Sequence, residues 1–257
     1  MTDHSIKGKT VLIAGGAKNL GGLIARDLAE RGAKAVAIHY HSDATKAAAE
    51  ETVAAVKAKD ADAAAFQADL TSATAVEKLF ADTLARFGRI DIAINTTGQV
   101  LKKPIAEITE AEYDSMIGIN SKAAFFFIKE AGRHLSDNGK LVTLVTSLLG
   151  AYTPFYAAYA GAKAPVEHFT RAASKEFGTR GISVNAVGPG PMDTPFFYGQ
   201  ETPDAVAYHK SAAALSPFSK TGLTDIEDIV PLIRFLVSDG WWITGQTILA
   251  NGGYTTK

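Results

Sequence analysis

Residues 10–22 have the sequence TVLIAGGAKNLGG, in which a short apolar run is followed at once by a cluster of glycines. The first five of these residues are typical of a buried β-strand. Leu23, Ile24 and Leu28 then recur at helical spacing, and Gly32 is expected to end that helix. The sequence therefore predicts a strand, a glycine-rich turn and a helix in direct succession.

The same alternation continues along the chain. Further strands are predicted at 35–39, 63–68, 90–95, 141–146, 183–187 and 246–249. Helices are predicted at 44–59, 76–87, 113–128, 157–177 and 226–237. Such alternation predicts the α/β class, with a doubly wound parallel sheet of the Rossmann type and helices on both faces. We find no break in composition, so we expect a single domain over residues 1–257.

The composition narrows the range of partners. The 257 residues are 47% apolar and 21% charged, with a net charge of −1 and no cysteine. No basic run favours nucleic acid or an anionic membrane, and no apolar run is long enough to span a bilayer. The absence of cysteine excludes disulfides and a thiolate nucleophile, and no metal-ligand spacing is present. The N-terminus lacks the apolar core of a secretory signal, so we expect a cytoplasmic protein.

Chemically informative residues follow the predicted strands, and ligands of open α/β sheets bind at the carboxyl ends of those strands. The segments concerned are 15–22, 95–98 and 188–194, together with Ser147. Glycines at 15–22 would let the backbone approach a pyrophosphate, which a helix N-terminus attracts. We therefore predict a dinucleotide site, although the glycines alone would also suit a plain strand–helix turn.

The end of the second strand indicates which dinucleotide is bound. An acidic residue there would hydrogen-bond the ribose of NAD and repel a 2′-phosphate. Here the strand ends in Tyr40, His41 and Ser42, and Lys18 in the glycine turn adds a cation on the same side. Because a phosphate favours such donors, we predict NADP(H). The alternative is that His41 and Ser42 begin a solvated loop and that Lys18 is a solvated surface charge.

Tyr159 and Lys163 are four residues apart on a predicted helix, which places the phenol and the ammonium on one face. A nearby ammonium lowers the pKa of a phenol from its usual value of about 10. Such a phenol can protonate a developing alkoxide or deprotonate an alcohol. The alternative is a half-buried tyrosine beside a surface lysine, but Ser147, Asn95 and Asn120 near other strand ends favour a catalytic site.

With these residues assembled, the chain resembles the short-chain dehydrogenase/reductase family along essentially its whole length. The family's glycine motif matches residues 16–22, its Asn-Asn-Ala-Gly motif matches 95–98, and its Asn-x-x-x-Pro-Gly-x-x-x-Thr motif matches 185–194. The resemblance implies the catalytic residues Asn120, Ser147, Tyr159 and Lys163. The cofactor-binding residues that we predict are Gly16, Lys18, Asn19, Leu20, Tyr40, His41, Ser42, Asp69, Leu70, Asn95, Gly98, Tyr159, Lys163, Pro189, Gly190, Met192 and Thr194.

The resemblance also implies a mechanism, in which hydride passes between the nicotinamide and a ketone or secondary alcohol. Tyr159 would donate or accept the proton, while Lys163 would hold the nicotinamide ribose and lower the tyrosine pKa. Ser147 would hydrogen-bond the carbonyl oxygen, Asn120 would anchor a water beside the lysine, and Thr194 would hold the carboxamide. The implied activity is that of an NADP(H)-dependent carbonyl reductase or alcohol dehydrogenase.

The chain departs from the family pattern at several positions. Leu20 stands where a second glycine is usual, so its side chain must pack into the first helix. This variant and the His-Tyr-His strand end are similar to pteridine reductases. Thr96 and Thr97 replace Asn and Ala in the motif beside the adenosine ribose, and Asn251 replaces Asp near the C-terminus.

The spacing of the predicted catalytic hydroxyl is also unusual. Ser147 and Tyr159 are twelve residues apart, one fewer than is common in the family, so the loop between them should be tight. Thr146 is the alternative hydroxyl if Ser147 is displaced.

The substrate is less well defined by the sequence. We predict that residues 191–215 form a lid and that the substrate contacts Ser147, Leu149, Phe155, Phe196 and Phe197. These side chains favour a hydrophobic ketone, a small-molecule partner; the alternative is that the aromatic residues serve lid packing or an oligomer contact. Reduction of pteridines or of 3-oxoacyl thioesters remains open, as does a non-catalytic NADP(H)-binding sensor. The resemblance further implies a homotetramer, built through helices at about 113–133 and 157–177.

Overall fold

A computed structural model describes residues 3–151 and 153–256. In this part of the chain seven parallel strands form one sheet in the order β3-β2-β1-β4-β5-β6-β7. The strands are β1 (Thr10–Ala14), β2 (Ala35–Tyr40), β3 (Asp62–Gln67), β4 (Ile92–Asn95), β5 (Lys140–Leu144), β6 (Ser183–Pro189) and β7 (Thr247–Ala250). The order of the strands reverses between β1 and β4, which is where ligands of such sheets bind.

Helices cover both faces of this sheet. They are α1 (Asn19–Glu30), α2 (Lys46–Lys57), α3 (Ala73–Phe87), α4 (Glu110–Ile117), α5 (Ala123–His134), α6 (Ala157–Glu176), α7 (Pro195–Tyr198), α8 (Pro203–Ala212) and α9 (Ile226–Leu236). Alternate residues of β1 enter opposite cores: Val11 and Ile13 pack with α1, α2 and α9, whereas Leu12 and Ala14 pack with α3, α5 and α6. Burial on both faces explains why β1 is apolar from Val11 to Ala14. The predicted doubly wound α/β fold is confirmed.

The structure divides the helix that we predicted at 113–128. Between α4 and α5, residues Gly118–Lys122 form a wider π-helical turn. Such turns occur frequently at functional sites, because the extra residue redirects side chains without ending the helix. This turn contains Asn120, which is fully buried.

The segment 191–215, which we predicted to form a lid, contains two short helices. Pro195 begins α7 and Pro203 begins α8, each in the first turn, where proline's missing N–H breaks no helical bond. The Thr202 side chain caps α8 by accepting the Ala205 N–H at 3.3 Å. The same prolines therefore start helices here. Within the residues described, no helix is both long and apolar enough to cross a membrane.

Candidate active site

The glycine turn after β1 is held by contacts that only glycine permits. Gly15 has a φ of +76°, and a Cβ on Gly21 would lie 2.2 Å from the Gly15 carbonyl oxygen. Glycine at these positions lets the start of α1 lie directly against the turn. Leu20 is 4% exposed and packs in the core with Ile24, as its departure from the family motif requires.

His39 joins this turn to the neighbouring strand ends. Its Nδ1 accepts the Gly15 N–H at 3.0 Å, and its carbonyl oxygen accepts the Gly16 N–H at 3.0 Å. Its Nε2 lies 2.9 Å from the Ala68 carbonyl oxygen. Burial lowers the pKa of His39 to about 4, so the ring is neutral and Nε2 donates. The sequence analysis missed this residue, although a histidine inside an apolar strand was a visible signal.

A cleft of about 620 Å³, here called the long cleft, runs along the carboxyl ends of the strands from Tyr40 to Thr194. This volume lies within the range of sites that bind small molecules and cofactors. Most of the predicted cofactor residues line it: Lys18, Asn19, Leu20, Tyr40, His41, Asp69, Leu70, Gly98, Tyr159, Lys163, Pro189, Met192 and Thr194.

The structure places four predicted cofactor residues elsewhere. Gly16 lies beneath the turn, with its N–H turned toward His39, and Ser42 caps a short 3-10 turn. The Asn95 Oδ1 accepts hydrogen bonds from the N–H and the hydroxyl of Thr97, at 3.0 and 2.6 Å. Gly190 lines a second cavity instead.

The sequence analysis also missed some of the lining. Thr45 extends the polar end of the long cleft beside His41, and Ser115 and Ile119 border its middle. Thr45 follows β2 in a 3-10 turn, where its hydroxyl donates to the Ser42 carbonyl at 2.9 Å. Ser115 and Ile119 reach the cleft through the register of α4 and the π-helical turn, which the pattern of apolar residues did not reveal.

Lys163 lies buried on α6 at the inner end of the long cleft. Its Nζ donates to the carbonyl oxygens of Thr97 and Leu144, at 3.0 and 2.9 Å. Burial lowers the pKa of Lys163 to about 8. Two of its three N–H donors are thus committed to the backbone, which fixes the position of the ammonium.

Asn120 is close to this lysine. A Cβ on Gly98 would lie 2.8 Å from Asn120 Oδ1 and 3.0 Å from Lys163 Nζ, so both side chains border the same glycine. Asn120 also holds the loop after β4, because it accepts the Gln99 N–H at 3.2 Å and donates to the Gln99 carbonyl at 2.8 Å. The structure therefore brings together the loop, the π-helical turn and α6.

Tyr159 is buried one helical turn from Lys163. Burial raises the pKa of Tyr159 to about 12, and a hydrogen bond with the Thr146 side chain offsets part of that rise. The lowering of this pKa by Lys163 stays a prediction; the ammonium itself donates to two backbone carbonyls. The hydroxyl at the phenol is that of Thr146, the alternative that the short spacing had left open. Ser147 lies next to it.

A smaller cavity of about 90 Å³, here called the chamber, lies on the other side of Tyr159. Its walls include Val100, Thr146, Ser147, Leu148, Tyr156, Phe196, Phe197, His209 and Tyr254. Tyr159 and Phe196 line both the chamber and the long cleft, and their rings are 6.3 Å apart. The phenol of Tyr159 therefore stands where the two cavities meet.

Two of the predicted substrate residues do not line the chamber. Leu149 packs instead against the buried side chains of Val145 and Val166, because the 3-10 turn that begins at Ser147 directs it inward. Phe155 has a φ of +71° and is 48% exposed. Ser147, Phe196 and Phe197 do line the chamber, and Tyr156 takes the position that we had assigned to Phe155.

Comparison with known proteins identifies the family of this chain. A family model described as enoyl-(acyl carrier protein) reductase matches residues 15–255. A hydroxynaphthalene reductase-like protein of Metarhizium brunneum is 35% identical, covering 99% of this chain and 98% of that protein. Versicolorin reductase 1 of Aspergillus parasiticus is 33% identical, with 98% of each chain covered.

A solved structure of a putative dehydrogenase from Burkholderia cenocepacia, with bound NADP, is similar with a TM-score of 0.99. It is 78% identical, and the match covers 100% of this chain and 97% of that one. The site and the fold define a dinucleotide-dependent oxidoreductase. The chain belongs to the short-chain dehydrogenase/reductase family, which confirms the resemblance inferred from the sequence.

Proposed function

We propose that this protein is an NADP(H)-dependent reductase of ketones that also oxidises the corresponding secondary alcohols. The observation that carries the proposal is the position of Tyr159, whose phenol borders both the long cleft and the chamber. A cofactor in the first cavity and a carbonyl compound in the second would meet at this group. Proximity of this kind is the main requirement for hydride transfer.

The residues of the long cleft fit NADP(H). Lys18, His41 and Thr45 line its end near β2, where a 2′-phosphate would find a cation and further hydrogen-bond donors. The related Burkholderia cenocepacia protein binds NADP, and its 78% identity supports the same cofactor here. When bound, the nicotinamide supplies the hydride. The rest of the chemistry is left to the protein's own side chains.

Proton transfer is assigned to Tyr159. With a pKa of about 12 the phenol is protonated at neutral pH, which suits donation to a developing alkoxide. The Thr146 hydroxyl bonds the phenol, and the adjacent Ser147 lines the chamber, which supports its hydroxyl as the hydrogen-bond donor to the carbonyl oxygen. The third N–H of Lys163 is then available to a ribose hydroxyl. Asn120 keeps the loop beside the lysine in place.

The chamber favours a hydrophobic ketone over a charged substrate. Its walls are mainly apolar or aromatic, and Phe196 and Phe197 close it from segment 191–215. Two relatives are named as reductases of hydroxynaphthalene and of versicolorin, which supports a cyclic ketone as substrate. Pterins and 3-oxoacyl thioesters belong in the same screen, since the matching family model is described by an acyl-thioester activity.

The test is NADPH consumption over a panel of ketones, quinones, pterins and 3-oxoacyl thioesters, followed by Tyr159→Phe on the best substrate. We expect the variant to lose about 10³-fold in kcat, within the range of general acid catalysis, while the NADPH Kd changes less than threefold. Tyr113→Phe, which alters an exposed phenol on α4, is the control and keeps full activity. Unchanged turnover in Tyr159→Phe would refute the assignment and favour a nucleotide-binding sensor.

We also propose that the protein is a cytoplasmic homotetramer. Phe125 on α5 is 46% exposed, and its ring meets that of Phe169 on α6 at 5.2 Å. This aromatic surface is suited to contact with a second copy through the two long helical segments. Light scattering tests the proposal, and a monomeric mass would reject it.

A further inference from the structure

One carboxylate in the segment 191–215 is buried more completely than its sequence position suggests. The Glu201 side chain lies between α7 and α8 and is 0% exposed. It accepts hydrogen bonds from the Lys102 ammonium and from the Tyr156 hydroxyl. A buried carboxylate is stable only when it is paired and hydrogen-bonded, so these two partners are required for its position.

The partners of Glu201 lie outside the segment that it belongs to. Lys102 is in the loop after β4, and Tyr156 immediately precedes α6. A second hydrogen bond joins the same two parts of the chain: the backbone N–H of Lys102 donates to the Gln200 side chain at 3.2 Å. Glu201 therefore connects the segment 191–215 to two fixed parts of the sheet edge.

His209 adds a neutral group to this cluster. Its Nε2 lies 3.8 Å from a Glu201 oxygen, and its Nδ1 lies 2.9 Å from the Tyr254 hydroxyl. Burial lowers the pKa of His209, which leaves Lys102 as the cation that balances the carboxylate. Tyr156, His209 and Tyr254 are also walls of the chamber. The cluster thus sets the shape of the cavity as well as holding the segment.

We propose that Glu201 is a positioning residue for the reaction: its bonds to Lys102 and Tyr156 hold segment 191–215 closed over the chamber. If the segment lifts, Glu201 and Lys102 separate and become hydrated, so closure and ion pairing occur together. In the closed state Phe196 is placed 6.3 Å, ring to ring, from Tyr159, and Tyr156 is placed 6.4 Å from it. The inference rests on the proposed carbonyl reduction for its effect on turnover.

The chain offers a matched control at the neighbouring residue. Lys103 lies in the same loop, but its ammonium pairs with Glu112 of α4 at 2.9 Å. Both pairs join the loop to a helical segment, yet only the Lys102 pair reaches segment 191–215. Comparing Lys102→Met with Lys103→Met therefore distinguishes the loss of closure of segment 191–215 from a general loss of stability in the loop.

The experiment compares Glu201→Gln, Lys102→Met and their double variant with Lys103→Met. We expect the first three to raise the KM for the ketone at least tenfold, with the double variant no worse than the single ones and the NADPH Kd changed less than threefold. Glu201→Asp, which keeps the charge, should recover part of the loss. Equal effects of Lys102→Met and Lys103→Met, or a KM within twofold of wild type, would overturn the proposal.

A second measurement does not depend on catalysis. Lys210 lies exposed on α8, and trypsin can cleave after it when α8 unfolds locally, which we expect to be easier once the bond from Glu201 to Lys102 is lost. Cleavage there should be at least tenfold faster in Lys102→Met than in Lys103→Met, and equal rates would reject the closure. If the wild-type protein reduces no carbonyl compound, the proposed function fails, while the cleavage rates still decide this inference. Should Glu201→Gln not fold, Lys102→Met alone provides the test.

Discussion

The long cleft and the chamber meet at Tyr159 but are built in different ways. The cleft is bordered by strand ends, a glycine turn and helix starts, and its shape depends on backbone contacts such as those of Gly15 and Gly21. The chamber is closed by side chains of segment 191–215, and its polar cluster depends on Glu201. The comparison teaches that the fold itself forms the proposed cofactor site, whereas side chains added to the fold shape the proposed substrate site.

Among the tests of this contrast, the largest effect on cofactor binding is expected from a methyl group in the glycine turn. Gly21→Ala places a Cβ 2.2 Å from the Gly15 carbonyl, so the backbone of the turn must move. We expect the NADPH Kd to rise at least 100-fold and the free energy of unfolding to fall by about 3 kcal/mol, the upper part of the range for overpacking. Fluorescence titration and urea unfolding measure the two effects.

Gly161→Ala is the control, since a Cβ at this exposed position of α6 meets nothing within 4 Å. It should stabilise the protein by up to about 1 kcal/mol through helix propensity, with NADPH binding unchanged. If Gly21→Ala bound NADPH normally, the cleft would not depend on backbone contact as argued.

The neighbouring hydroxyls of Thr146 and Ser147, near the boundary between the two cavities, provide a second test of the comparison. Removing the substrate hydrogen bond in Ser147→Ala should lower kcat by about 100-fold, as for a donor to a developing oxyanion. Thr146→Val removes the group that lowers the Tyr159 pKa, so that pKa should rise further and kcat should fall about tenfold.

The pH profile of alcohol oxidation distinguishes these two variants. Oxidation needs the phenolate, so its rate should rise with pH toward the pKa of the phenol. In Thr146→Val that rise should move to higher pH, while Ser147→Ala should keep the wild-type profile. A shift in Ser147→Ala instead would exchange the two roles.

His39, which lines the long cleft, should make the free energy of unfolding depend on pH. Its pKa of about 4 in the folded protein lies below the ordinary 6.5, so between these values the unfolded chain binds a proton that the folded one does not. Stability is therefore complete above pH 6.5 and is lost as the pH falls to 4. From pH 7 to pH 5 the loss should be about 2 kcal/mol.

Urea unfolding at the two pH values measures this loss. His39→Asn should be less stable at pH 7 but should lose about 2 kcal/mol less than wild type on going to pH 5. The exposed His168→Asn should retain the wild-type difference. A similar loss in wild type and His39→Asn would show that other groups dominate the pH dependence of stability.

The difference between the long cleft and the chamber also explains which of their features could be predicted from the sequence. The alternating strands and helices, the glycine turn and the Tyr159–Lys163 spacing are local patterns, and the structure has each of them in place. The chamber was predicted less well, because Leu149 and Phe155 are directed by a tight turn and by a positive φ that no pattern marks. Glu201 was missed because its partners are about 100 and 45 residues away in the chain.

The smallest effect tests whether the aromatic side chains select the substrate or only pack the segment. Phe197 lines the chamber, and its ring contacts that of His209 at 5.4 Å. Phe197→Ala should enlarge the chamber, raising kcat/KM for bulky cyclic ketones and lowering it for small ones, by about fivefold each, as expected for small changes in apolar contact. Phe218→Ala, at an 86% exposed ring, should leave the ranking of substrates unchanged. If Phe197→Ala lowered the melting temperature but left the ranking of substrates unchanged, Phe197 would serve packing only. Substrate selectivity would then depend on the other walls of the chamber, such as Tyr156.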